Sequence, residues 1–369
     1  MKFRLFCLAL AATTLVLPAR PGSAQEQFPF QIFERYLEPL IQQIGMPGLS
    51  AAILLQGKVV WRYNYGFADV ERKIPTAFDT PYPVGGITQA VSGVLLGVCI
   101  DRFGFNIDDN IRLSYPAFPI ADTSTRQVVS HSTGGRYRYD PALFTLLTPV
   151  VESPGCLRQP YRKALAVEVL DRLAMTRSVP GLDLNRPEGA GARALFDEAD
   201  LKKYLSLLSD VAVPYRIDAK GNSTRSDYPS YSLDAATGLV STVEDLAKFE
   251  GQLDKRDGHP VSVSTLNKMW SNQVFTIQDT NLQIAMPTGL GWFVTNESGQ
   301  RLVWTFGHIP DAGSALIVKM TKPATASVAE QRLTLIMLAN SSGLAKGYDL
   351  ENAQVTSSPF VKVFLRLFI

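Results

Sequence analysis

Read for its alternation of apolar and polar positions, the chain has β-rich ends and a helical middle. Phe33, Tyr36, Leu37, Leu40, Ile41 and Ile44 recur at helical spacing and predict a helix over 28–44, stopped by Gly45-Met46-Pro47-Gly48. Leu49 to Leu55 and Lys58 to Tyr65 are β-rich runs on either side of Gln56-Gly57, the pattern of a hairpin. Gly66 to Asp69 leaves the hairpin, and Arg72 to Thr80 reads as a polar loop. The stretch from Tyr82 to Leu96 then gives an extended lead-in, the glycine turn Gly85-Gly86, and a helix that is apolar on almost every side. A helix with so little polar surface belongs in the centre of a domain.

Beyond it, 101–110 reads as a loop and 128–135 as a short helix end breaking into a glycine turn. Helices are expected within 137–151, over 161–174 and over 198–208, the last inside a loop-rich stretch from 178 to 230. The 243–253 helix opens on a capping-box spacing, either Ser241 with Glu244 or Thr242 with Asp245. From Gly289 four strands are expected: 291–295, 302–306, 314–320 and 333–338; an amphipathic helix over 358–368 ends the chain. Strands near both termini imply one sheet assembled from both ends, an α+β fold with an antiparallel sheet flanked by helices. The expected division is a sheet-plus-helix domain from 25–105 and 285–369, with 106–284 inserted as a helical lobe.

Composition fits this picture: 369 residues, 46% hydrophobic and 19% charged, suffice for a large core in one elaborate domain or two. At the N-terminus, Lys2 and Arg4 precede the apolar run Leu5 to Leu17, and small residues lead to Ala24. This predicts a secretory signal peptide over 1–24, cleavage after Ala24, and a periplasmic or secreted product. A membrane anchor fits less well because the apolar run is short. No later run of about 18 apolar residues exists to predict a membrane span. Removal of 1–24 lowers Lys+Arg from 36 to 33 against 34 Asp+Glu, a net charge of about −1. A nucleic-acid partner, which calls for a basic surplus, is not expected. Cys99 and Cys156 then remain; a disulfide is permitted outside the cytoplasm, but the apolar setting of Cys99 favours a buried thiol. His131, His259 and His308 are far apart, and no Cys/His spacing suggests zinc, so neither metal nor cofactor is expected.

The order of elements, together with Gly57-Lys58-Val59-Val60, Asp79-Thr80-Pro81-Tyr82, the run Leu233 to Thr242 with Asp245-Leu246, Gly289-Leu290-Gly291-Trp292 and Leu338-Ala339-Asn340, resembles the serine β-lactamases of class C type, the penicillin-binding proteins and related esterases. The likeness covers about 30–345. It implies the β-lactamase/transpeptidase-like fold and three groupings around a cleft. A Ser-x-x-Lys opens the central helix, the serine as nucleophile and the lysine assisting its proton transfer. A Tyr-x-Asn stands at the edge of the lobe. A Lys-Thr-Gly or His-x-Gly lies on a sheet edge beside an oxyanion donor.

Mapped onto this chain, the serine position is Gly86 and the lysine position Gln89. Glycine carries no nucleophilic atom, and glutamine neither titrates nor holds a positive charge. The second grouping maps to Tyr139-Asp140-Pro141, which keeps the tyrosine and replaces the asparagine. The third maps to His308-Ile309-Pro310, where proline takes the glycine position and Asp311 the oxyanion-donor position. Ser92 reads as a packed hydroxyl bonded to a backbone carbonyl, Ser130, His131 and Ser132 as structural, and Asp234 as a turn-stabilising group. The resemblance therefore implies an exported, catalytically degenerate homologue whose cleft binds a peptide, a cell-wall fragment or an envelope protein. Two alternatives stay open: a hydrolase using a displaced nucleophile or activated water, and a structural envelope protein. Gly86, Gln89, Tyr139, His308 and Asp311 are the candidate cleft residues.

Overall fold

A computed structural model describes residues 24–230, 232–277, 282–325 and 329–369. The expected signal peptide spans 1–24, and all of it but Ala24 lies outside the described residues. Seven antiparallel strands form the main sheet, in the order Phe293–Glu297, Gln300–Ile309, Gly313–Lys322, Gln331–Ala339, Gly48–Leu55, Lys58–Asp69, Ile74–Pro75. The first and last strands in sequence meet at its centre, with Leu49 opposite Ala339 and Ile53 opposite Leu335. The sheet is thus assembled from both ends of the chain.

Period-two alternation sends successive side chains to opposite faces, and both faces are covered. Leu49, Ala51 and Ile53 face a layer made by the Ala24–Ile44 and Pro359–Phe368 helices, contributing Phe33, Leu37, Ile41, Phe360 and Phe364. The two helices lock together through aromatic contacts, Phe33 to Phe364 at 6.2 Å and Phe33 to Phe368 at 5.9 Å. Ala52 and Leu54 face the opposite layer, which holds the central helix, Ile87–Phe103, and the Val243–Lys255 helix. Every residue of the central helix from Ile87 to Cys99 is buried, which is why its sequence carries no polar stripe.

Several expectations change in detail. The second hairpin strand runs on to Asp69, so Gly66–Asp69 belongs to the sheet. The helix expected within 137–151 is two short ones, Pro141–Thr145 and Thr148–Glu152, because a proline opens each. The 161–174 helix begins as Tyr161–Leu165 and widens into a π-type turn over Ala166–Asp171. Of the two capping options, Thr242 is used: its Oγ1 accepts from Asp245 N–H, while Ser241 pairs with Ser178. A helix at Val263–Met269 and a hairpin of Val274–Ile277 with Leu282–Ala285 were not foreseen. Among the described residues no helix is long and apolar enough to cross a membrane, and no group of three or more His, Cys, Asp or Glu could hold a metal.

The buried-thiol expectation is corrected. Cys99, near the end of the central helix, is disulfide-bonded to Cys156, with the two Cα atoms 4.9 Å apart. The apolar setting hides the bridge; it does not prevent it. A buried location alone cannot separate a thiol from a disulfide when the partner is 57 positions away.

Candidate functional site

Beyond the Phe293–Trp304 pair, the short edge strand ends and the last residues of the Gln300–Ile309 strand run on without it. The turn before the central helix lies against this stretch, and glycines permit the approach. Gly85 has φ +52°, the left-handed region in which a side chain is strained, and a Cβ there would stand 3.2 Å from Gly307 Cα. A Cβ on Gly307 would reach 2.0 Å from the Val84 carbonyl oxygen. Backbone meets backbone at this corner.

Gly86 is the N-cap of the helix, so the structure places it where the resemblance puts a nucleophilic serine. A Cβ at Gly86 would lie 2.6 Å from the Phe306 carbonyl oxygen and 3.1 Å from Tyr139 Oη. One helical turn on, Gln89 is 3% exposed and fully engaged. Its Nε2 donates to Tyr139 Oη at 3.0 Å, and its Oε1 meets His131 Nε2 at 3.0 Å. Asp140 N–H donates to His131 Nδ1 at 3.1 Å, which makes Nδ1 an acceptor and puts the ring proton on Nε2. The polarity is therefore consistent from end to end: Asp140 N–H to His131, His131 to Gln89, Gln89 to Tyr139.

Burial sets the protonation of this chain. It pulls the His131 imidazole down to about 4, against the opposing charge of Asp140, so the ring is neutral at physiological pH. Burial also pushes the Tyr139 phenol above its ordinary range, with the Gln89 hydrogen bond opposing. Tyr139 is wedged among rings, with His131 at 4.8 Å, Phe306 at 5.4 Å and Phe293 at 6.1 Å. Neutral groups at this corner hold one another in place.

The other expected cleft residues sit further along the hairpin. His308 is half-buried opposite Ser314, and burial lowers its pKa. Asp311 occupies the exposed hairpin turn at φ +57°, with its carbonyl accepting from Ser226 Oγ at 2.6 Å. No hydrogen bond among the described residues joins its carboxylate to Gly86, Gln89 or Tyr139. The structure thus brings Gly86, Gln89 and Tyr139 into one group and leaves Asp311 apart.

The remaining hydroxyls are accounted for as packing groups. Ser92 Oγ donates to carbonyl oxygen and lies 2.6 Å from Tyr161 Oη, a partner not foreseen. Ser130 and Ser132 hydrogen-bond each other at 2.7 Å, and Asp234 accepts from the Ala236 and Thr237 N–H groups. What the sequence reading missed is the role of His131 and the ring cluster. A signal was present: a glutamine inside a helix apolar on almost every side must find partners for both ends of its amide.

A sheet covered on both faces, a buried helix starting beside its edge and Tyr139 meeting that start fit the β-lactamase and penicillin-binding-protein class of fold. The Beta-lactamase family model matches residues 33–357, and the chain belongs to that family. A β-lactamase of Yersinia enterocolitica is 22% identical over 334 residues, covering 86% of this chain and 81% of its own length. A β-lactamase of Escherichia coli K12 is 29% identical over 112 residues, 30% of this chain and 29% of the relative. The human mitochondrial serine beta-lactamase-like protein LACTB is 25% identical over 136 residues, 35% of this chain and 25% of the relative. For these last two, the match spans under a third of the relative's length. Among solved structures, the octameric penicillin-binding protein homologue from Pyrococcus abyssi superposes with a TM-score of 0.64 at 20% identity, covering 85% of this chain and 74% of that one.

Proposed function

We propose that this chain is an exported member of the β-lactamase family that forms no acyl-enzyme, its fold serving as a scaffold for a ligand or partner held outside the filled corner. The observation that carries this reading is the space at Gly86. An attacking side chain has no room there, because its first carbon would press on the Phe306 carbonyl and on Tyr139.

Gln89 supports the same reading. His131 Nε2–H needs an acceptor at position 89, because Asp140 N–H already fixes Nδ1 as the acceptor. Lysine has three donors and no acceptor, so it would set donor against donor. Glutamine supplies the acceptor for His131 and a donor for Tyr139 from one amide. The filled corner favours the structural reading over a ligand seated in the family cleft. Export is supported by the N-terminal pattern and by the Cys99–Cys156 disulfide, since such bonds persist mainly outside the cytoplasm.

The test is covalent labelling. Incubation with a fluorescent penicillin and with a fluorophosphonate probe is expected to leave the wild type unlabelled. The Gly86→Ser, Gln89→Lys double variant is expected to stay unlabelled too. A label mapped to any residue of the wild type would refute the reading. Labelling of the double variant at position 86 would show that the corner can open after all.

A further inference from the structure

We propose that a hollow at the far end of the central helix binds one or two rings of a neutral saccharide. The hollow, about 360 Å³, opens between the loop following the helix and the segment Ser153–Gly155. That volume lies at the lower end of the roughly 300–1,000 Å³ typical of small-molecule sites.

Three independent features point to a ligand. Ser153 lines the hollow and is 5% exposed, yet its Oγ has no hydrogen-bond partner among the described residues. A buried hydroxyl left unpaired costs about 1–3 kcal/mol, so it calls for a partner from outside the chain. Secondly, Gly155 keeps the space open: a Cβ there would meet only Phe105 Cδ2 at 3.9 Å and Ser153 Oγ at 4.0 Å, with no clash. Thirdly, Phe103 at 52% and Leu113 at 76% exposure, both lining the hollow, are among the most exposed large apolar residues described.

The mixture selects the chemistry. Asp109 is the one carboxylate or basic side chain in the lining, and its Oδ1 already accepts from Asn106 Nδ2 at 2.8 Å. Neither a cation nor an anion is called for. What remains is an apolar rim with amides and hydroxyls that both donate and accept. A pyranose ring matches this, with a C–H face for Phe103 or Phe105 and hydroxyls for Asn110 and Ser153. Asn110 uses its side-chain oxygen to accept the Arg112 N–H, and its NH₂ group donates to no group among the described residues.

The walls are also held in place. The disulfide joins Cys99, on the helix that leads into Phe103, to Cys156, the neighbour of Gly155. Phe105 N–H bonds back to the Cys99 carbonyl at 3.2 Å. A site fixed before its ligand arrives loses less entropy on binding. Nothing in this proposal draws on the corner at Gly86, so the two readings stand or fall separately.

Calorimetric titration and saturation-transfer NMR with cellotriose, maltotriose and triacetylchitotriose test it. The full chain is expected to bind at least one of them saturably. Gly155→Leu should abolish binding, and Ser153→Ala should weaken it about tenfold, the loss of one ligand hydrogen bond. Ser153→Ala should leave the thermal midpoint unchanged or higher, because it removes an unpaired hydroxyl. Phe103→Ala, at an exposed position, gives a second weakened variant should Gly155→Leu fold poorly. Absence of saturable binding by all three probes, equal binding by the variants, or a lowered midpoint for Ser153→Ala would each overturn the proposal. So would binding of peptides where no saccharide binds.

Discussion

At its N-terminal end the Ile87–Phe103 helix meets a corner in which every polar group of the Gln89–His131–Tyr139 chain is engaged and the space for a side chain is taken. At its C-terminal end the same helix opens onto a hollow with an unpaired hydroxyl, an exposed ring and room beside Gly155. In this family the first of these ends is the one the resemblance assigns to chemistry. The contrast teaches that binding capacity follows unfilled space and unpaired polar atoms, whichever end of a fold they occupy.

The largest effect that tests this contrast comes from the disulfide. A chain-entropy estimate for a loop of 57 residues gives about 4 kcal/mol. The Cys99→Ala, Cys156→Ala double variant should therefore unfold at distinctly lower denaturant concentration and lose saccharide binding. Retained binding at unchanged affinity would mean that the bridge does not hold the walls of the hollow.

The second effect, on the order of 3 kcal/mol, belongs to His131. Unfolded, this histidine takes up a proton near pH 6.5; folded, burial delays uptake to about pH 4. Between these values the unfolded chain binds more protons, so stability falls as pH is lowered from 6.5 to 4. Glu250, raised to about 7 by burial with Lys319 opposing, works in the other direction over an overlapping range. The His131 share is therefore read as the difference between wild type and His131→Gln across this window. Parallel stability curves for the two would remove His131 from the account.

The third and smallest effect is that of Gly86→Ser. Forcing extra atoms into a filled site typically costs about 1–3 kcal/mol, and a lowered thermal midpoint is expected. An unchanged midpoint would mean that the Phe306 carbonyl yields easily and that the corner is less filled than its geometry indicates.

How much of this was legible in the chain follows from the range of the forces involved. The hairpin about Gln56-Gly57, the apolar central helix and the terminal strands depend on local periodicity, and they stand where it placed them. The position of Gly86 at the helix start was readable for the same reason. That Gln89 must be paired was readable too, but which residues pair with it was not, because they lie 42 and 50 positions away. Lys319 shows the same limit: it reads as one residue of an apolar strand, yet it is 1% exposed and ion-paired with Glu250 at 3.1 Å and with Asp254. The hollow was equally hidden, since loops build it and no periodic signal marks where a side chain is missing.

The contact between the Val84–Gly86 turn and the Phe306–His308 stretch also bears on the routes by which this sequence could change. A serine at 86 alone meets a carbonyl oxygen, and a lysine at 89 alone faces a donating imidazole. Each single step toward the family's nucleophilic pair therefore passes through a less stable chain, and neither step is useful before the other. With the strand also seated against the turn, a third displacement is needed. Taken one substitution at a time, any route out of this arrangement is therefore expected to run uphill in stability, which makes the corner a kinetic trap in sequence space.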